Sequence, residues 1–190
     1  MVTLDWQLRG CLGDEWQWHL TKPWDAPHWL PARVPGSVMD DLMRAGELPD
    51  LYHGRNSRLA EWVPERTWLY RTRVAGPGTL RFGGIDFGAR VYLDGELAAE
   101  TDSMYRALDV ELDARERLLV VAIPPAPESE PQVGRTSRVR VHKPRLNYGW
   151  DFCPRLVHQG IWRPVELLSV VPEPPVAVPP RAVLRDYFTL

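Results

Sequence analysis

The stretch Thr67-Trp-Leu-Tyr-Arg-Thr-Arg-Val-Ala-Gly-Pro-Gly-Thr-Leu-Arg-Phe82, "TWLYRTRVAGPGTLRF", alternates in side-chain character on both sides of a glycine-proline-glycine break. Before the break one face reads Trp68, Tyr70, Thr72 and Val74, and the other carries Arg71 and Arg73. A period of two belongs to a β-strand with two unlike faces. Gly76-Pro77-Gly78 forces a turn, and Thr79 to Phe82 alternates again. The pair is expected to form a hairpin with a short loop.

The same signals recur outward from there. Ala89 to Leu93 runs into Asp94-Gly95, a tight-turn dipeptide, and Glu96 to Thr101 returns. Arg117 to Ile123 is apolar enough for a strand buried on both faces. Ser137 to Val141 alternates once more. Ile161 to Val171 reads as the last long strand, and its Pro164 points to a sheet edge or a bulge. One helix is predicted, with Ser37 as N-cap, Asp40 as the acid three residues on, Val38, Leu42 and Met43 as apolar face, and Gly46 as stop. About eight to ten short strands joined by turns predict an all-β fold, a two-sheet antiparallel sandwich of jelly-roll or immunoglobulin-like type with one short helix.

Nineteen prolines favour short strands over long helices, and nine tryptophans can fill a core or make flat platforms for ligands. The net charge of −2 and interspersed signs argue against a nucleic-acid partner, and no apolar run reaches membrane-spanning length. "MVTLDWQLRG" contains no apolar export core, so a cytoplasmic address with Cys11 and Cys153 reduced is expected. Residues 1–171 are expected to form the sandwich, Pro172 to Pro180, "PEPPVAVPP", a stiff linker, and residues 181–190 the first strand of a further domain.

The chemistry concentrates in Asn147 to Val165, "NYGWDFCPRLVHQGIWRPV". Asp151 stands between Trp150 and Phe152. A sugar offers apolar C–H faces, which an aromatic ring covers, and hydroxyls, two of which one carboxylate can accept at once. Gly149 and Pro154 would hold the loop in one shape, and Arg155 is a candidate ion-pair partner for Asp151. The alternative is that Trp150 and Phe152 anchor a core and Asp151 caps a turn. Glycoside hydrolysis needs two carboxyl groups roughly 5 to 9.5 Å apart. Asp40, Asp41, Asp86, Asp94, Glu128 and Glu130 are scattered without an obvious catalytic partner and read as solvated surface acids. Cys153 and His158 fall short of a metal-ligand set, so no metal or cofactor is expected.

"GWDFCPRLVHQGIWRPVEL" resembles the G-W-D-W-G-P-R-L…G-I-W-R-P-V signature of the N-terminal domain of β-mannosidases and their relatives in glycoside hydrolase family 2. "VPGSVMDDLMRAGELPDLYHGRN", "EWVPERTWLYRTRV" and "LRFGGIDFGARVYLDGELAAETDSMYRALDVEL" resemble further segments of that domain in the same order. The resemblance implies a galactose-binding-like jelly roll, with immunoglobulin-like domains and a (β/α)8 barrel downstream in the parent chain. Both catalytic glutamates of the family sit on the barrel, so this chain alone is expected to be inactive. "PPRAVLRDYFTL" looks like the truncated start of the immunoglobulin-like domain. Trp150 and Asp151 are then implied substrate-binding residues for a β-linked mannoside or related glycoside, with Phe152 and Arg155 as support. Two positions depart from the pattern: Phe152 replaces a Trp and loses its N–H donor, and Cys153 replaces a Gly.

Three readings follow. The chain is a non-catalytic domain lending Trp150 and Asp151 to a retaining exo-β-glycosidase, a stand-alone carbohydrate-binding module, or a structural brace of an exo-β-glucosaminidase-type hydrolase. Because part of the surface would dock on a barrel, exposed aromatic area is expected on the isolated domain.

Overall fold

The computed structural model describes residues 4–127 and 141–168. Nine strands are found among them: β1 (Trp6–Cys11), β2 (Leu30–Ala32), β3 (Thr67–Ala75), β4 (Gly78–Phe82), β5 (Ala89–Leu93), β6 (Glu96–Thr101), β7 (Leu108–Leu112), β8 (Glu116–Ile123) and β9 (Val165–Leu168). They form two antiparallel sheets, six strands in the order β2-β1-β3-β8-β5-β6 and three in the order β7-β4-β9. The fold is therefore the expected all-β sandwich.

Alternation explains how the layers meet. Leu119, Val121 and Ile123 of β8 join Trp68, Tyr70 and Val74 of β3 in the main core, together with Leu80, Phe82, Val110 and Leu112 of the smaller sheet. Val120 and Ala122 project to the other face of the large sheet, where they are buried with Cys11, Leu69 and Tyr92. Successive side chains point to opposite sides, so a strand covered on both sides must be apolar at every position. Residues 118–123 have that pattern, and β8 lies between β3 and β5.

The outer face also takes up one of the two arginines of β3, while Arg73 stays exposed. Arg71 is fully buried. Its guanidinium donates to the side-chain oxygen of Gln7 at 2.8 Å and to the carbonyls of Lys22, Pro23 and Trp24. It also lies 3.8 Å from the centroid of the Trp29 ring and 5.2 Å from that of Trp24. Burial lowers its pKa to about 10. Two of the nine tryptophans thus cover a buried cation.

The hairpin expected across Gly76-Pro77-Gly78 does not form. β3 is occupied on both edges by β1 and β8, whereas β4 pairs with β7 and β9. The turn carries the chain from one sheet to the other, a choice made by the competition for strand edges and not by the turn residues. At Asp94-Gly95 the expected hairpin is present: both residues have positive φ, 51° and 88°, and β5 pairs with β6.

The helix α1 (Val38–Arg44) begins where the capping residues place it. The Ser37 hydroxyl accepts from the Asp40 amide at 3.3 Å and donates to the Asp40 carboxylate at 2.9 Å. Val38, Met39 and Leu42 are buried, Met43 packs partly buried against the core, and Gly46 follows with φ 78°. Asp41 is not a surface acid. It is fully buried, accepts from the Arg33 amide at 3.0 Å and pairs with Arg44. Burial raises its pKa, against the lowering effect of these donors.

The last described strand is shorter than expected. Residues 161–164 are not in a strand; β9 starts at Val165 and lies at the edge of the three-stranded sheet, where Pro164 interrupts no ladder. Residues 169–171, Ser137 to Arg140, Glu128, Glu130, the 172–180 linker and the 181–190 strand all lie outside the described residues.

Candidate functional site

The segment from Lys143 to Arg163 divides into an exposed tip and a buried anchor. A 3-10 helix, Arg145–Tyr148, opens it and ends at Gly149, whose φ of 97° disfavours a side chain. The Trp150 amide then bonds the Cys153 carbonyl at 3.1 Å, closing a turn. The amide of Leu156 donates to the Asn147 carbonyl at 2.9 Å and draws the neck together. Below the neck Tyr148 is buried against Val157 and Ala126, with its hydroxyl donating to the Pro127 carbonyl at 2.9 Å.

At the tip the rings of Trp150 and Phe152 lie 6.3 Å apart, inclined at 45°. They are 38% and 72% exposed, so neither is a core anchor. Asp151 between them is exposed, and its carboxylate has no hydrogen-bond or ion-pair partner among the described residues. The expected Arg155–Asp151 ion pair is not formed: the Arg155 backbone runs beside Gly149, and its guanidinium has no acidic partner among the described residues. A ring with an adjacent uncommitted carboxylate can cover a C–H face and accept hydroxyls. It cannot by itself carry out acid–base cleavage, which needs a second carboxyl group.

The anchor is the reverse. Gln159 is buried, and its side-chain N–H group donates to the carbonyls of Pro124 at 2.6 Å and Arg66 at 3.3 Å. Gly160 exchanges two backbone hydrogen bonds with Asp86, at 2.8 and 2.9 Å. A Cβ at Gly160 would meet the Gly36 carbonyl at 2.8 Å and the Ser37 Cα at 2.9 Å, so the chain there passes too close to the start of α1 for any side chain. The Gly36 and Val38 amides donate to the Ile161 and Gln159 carbonyls, each at 2.9 Å. The loop is thus tied to the sheet end and to the helix entry.

Asp86, read above as a solvated acid, lies at the centre of this anchor. It is 5% exposed and paired with Lys143, itself 3% exposed, whose ammonium also donates to the His158 carbonyl. Burial raises the Asp86 pKa and lowers that of Lys143, while each partner favours the charged form of the other. Burial also lowers the pKa of His158. Lys143, Gln159 and Gly160 were not singled out from sequence. One signal was available for the first: it is one of two lysines among 23 basic residues.

Other candidates disperse. Among the described residues no group of three or more His, Cys, Asp or Glu could hold a metal ion. The Cys153 thiol faces the Leu146 carbonyl at 3.5 Å. A cleft of about 880 Å³ lies between residues 13–17, the start of β5 and the end of β6, and residues 150–152 do not line it. Trp16 and Phe87 line its walls, while its Arg90–Glu100 and Arg106–Asp102 pairs lie 3.6 and 2.8 Å apart.

Known proteins resemble this chain over most of its length. β-Mannosidase B of Thermothelomyces thermophilus is 32% identical over 180 residues, covering 82% of this chain and 21% of that protein. β-Mannosidase B of Emericella nidulans is 34% identical over 168 residues, covering 73% and 20%. The crystal structure of the β-D-mannosidase of Dictyoglomus thermophilum superposes with a TM-score of 0.69 at 28% identity, covering 87% of this chain and 22% of that one. The chain therefore spans about a fifth of the length of these relatives. The family model described as glycosyl hydrolase 2 galactose-binding domain-like matches residues 18–163. Since that match runs through α1, most of the sandwich, the tip and the anchor, the chain belongs to the glycosyl hydrolase 2 galactose-binding domain-like family.

Proposed function

We propose that this chain is the non-catalytic N-terminal domain of a retaining exo-β-glycosidase of β-mannosidase type, and that Trp150 and Asp151 contact the terminal sugar. The catalytic acids belong to a barrel elsewhere in the parent protein. The observation that carries this reading is the state of Asp151: exposed, beside a half-open indole, and without a partner among the described residues. A carboxylate left free on a loop whose base is so firmly anchored is suited to a ligand that comes from outside. A site that bonds a hydroxyl in this way disfavours sugars lacking it, because the acid is then left unpaired.

Asp151→Ala in the parent enzyme tests this. Loss of hydrogen bonds to a charged group is expected to lower kcat/KM on an aryl β-mannoside by about 10- to 100-fold. Near-normal turnover would leave the domain as a structural brace, of a mannosidase or an exo-β-glucosaminidase.

A second reading, a stand-alone carbohydrate-binding module, draws on the cleft walled by Trp16 and Phe87. Titration calorimetry of the chain with mannose and β-manno-oligosaccharides separates the two. Sub-millimolar binding supports the module; under the first reading no such heat is expected, because only part of a pocket is present.

A further inference from the structure

We propose that Lys143 is a positioning residue, clamping the two ends of the 144–157 loop onto Asp86 so that Trp150 and Asp151 are presented in one place. The clamp is a three-way junction. The Lys143 ammonium, at the start of the loop, bonds both the Asp86 carboxylate and the carbonyl of His158, just past its end. Asp86 holds the same outgoing segment a second time, through its paired backbone bonds to Gly160. One buried side chain therefore joins the entry, the exit and the body of the sandwich.

Above this junction the foot of the loop is held by side chains, Tyr148 to the Pro127 carbonyl and Arg145 to that of Val141, while the tip at 149–153 is held by backbone turns. The loop's own backbone bonds are the Leu156–Asn147 neck, the 3-10 turn ending at Gly149 and the turn from Trp150 to Cys153. Its apolar support lies at its foot, in Leu156 of the main core and the small cluster of Ala126, Tyr148 and Val157, whereas Leu146, Trp150 and Phe152 are exposed. A tip with so few buried contacts takes its order from its base.

The residue type is informative. Of 23 basic residues only Lys22 and Lys143 are lysines. A compact ammonium on a flexible stem can sit between one carboxylate and one carbonyl in a closed space, whereas a planar guanidinium with five donors cannot be satisfied there. Lys143→Arg is consequently not a conservative change at this position.

The sugar-contact role of the tip rests on the function proposed above; the ordering role of Lys143 does not. Hydrogen exchange on the full chain tests the latter. In Lys143→Met the amides of Gly149, Trp150 and Leu156 are expected to exchange at least about tenfold faster, and the same should hold with those of β3 and β8 unchanged once the stranded Asp86 charge is also removed. Lys143→Arg should behave alike. Should Lys143→Met destabilise the whole domain, the double variant Asp86→Asn with Lys143→Met removes the orphaned charge and leaves the loop unclamped. Loop exchange equal to wild type, or loss of protection spread evenly over both sheets in the double variant, overturns the inference.

Kinetics of the parent enzyme supply the second readout. Lys143→Met should lower kcat/KM, and adding it to Asp151→Ala should cost little more. If Asp151→Ala is costly and Lys143→Met is silent, the positioning role is rejected. If Asp151→Ala is itself silent, the sugar-contact reading falls and the exchange measurement alone decides on Lys143.

Discussion

Asp86, beneath the base of the loop, and Asp151, at its tip, are the same residue type in opposite states. Asp86 is buried, ion-paired to Lys143 and bonded through its backbone to Gly160. Asp151 is exposed and has no partner among the described residues. The first acid is fully committed to holding the chain, while the second keeps its lone pairs for something else. Burial and partnership, more than residue identity, separate a structural carboxylate from a candidate binding one.

Mutation can test that contrast, beginning where the effect should be greatest. Lys143→Met strands the Asp86 charge inside the protein, and removing one partner of a buried pair costs about 3–5 kcal/mol. Urea denaturation should show this as a lower midpoint; an unchanged midpoint would mean that water reaches Asp86. Gly160→Ala should be milder, roughly 1–3 kcal/mol, because a methyl group would press on the Gly36 carbonyl in a backbone region that disfavours side chains. Its measurement is the melting temperature, and a neutral result would show that the α1 entry can shift to make room. Ser37→Ala removes the acceptor for the Asp40 amide and should cost about 1 kcal/mol. Asp151→Ala should change stability least, within about 0.5 kcal/mol. A larger loss there would mean that Asp151 has a structural partner, and the contrast with Asp86 would fail.

Much of this was readable in order along the chain. Local features came through wherever the deciding interactions were local. Ser37 and Asp40 start the helix, Asp94-Gly95 turns β5 into β6, and uninterrupted apolar character marks β8 as covered on both faces. The aromatic-flanked acid of the signature was also visible, and both flanking rings are exposed rather than core anchors.

The misreadings share a different cause. Gly76-Pro77-Gly78 specifies a turn but cannot say which strand edges are free, and both edges of β3 are taken by partners distant in sequence. Asp41 and Asp86 sit near a helix start and a turn, where acids are commonly solvated, yet Arg33, Arg44 and Lys143 make their burial tolerable. Arg155 is four residues from Asp151 in the chain, but the turn does not bring their charges together.

Strand periodicity, the helix cap and the tight turn were legible from neighbours within a few positions, and the tip's residue types could be read directly. Which sheet each strand joined, which acids were buried, and the meeting of Lys143 with Asp86 across 57 positions became visible in the folded chain alone. Those outcomes depend on desolvation and on competition for partners, which exist only once distant segments have been brought together.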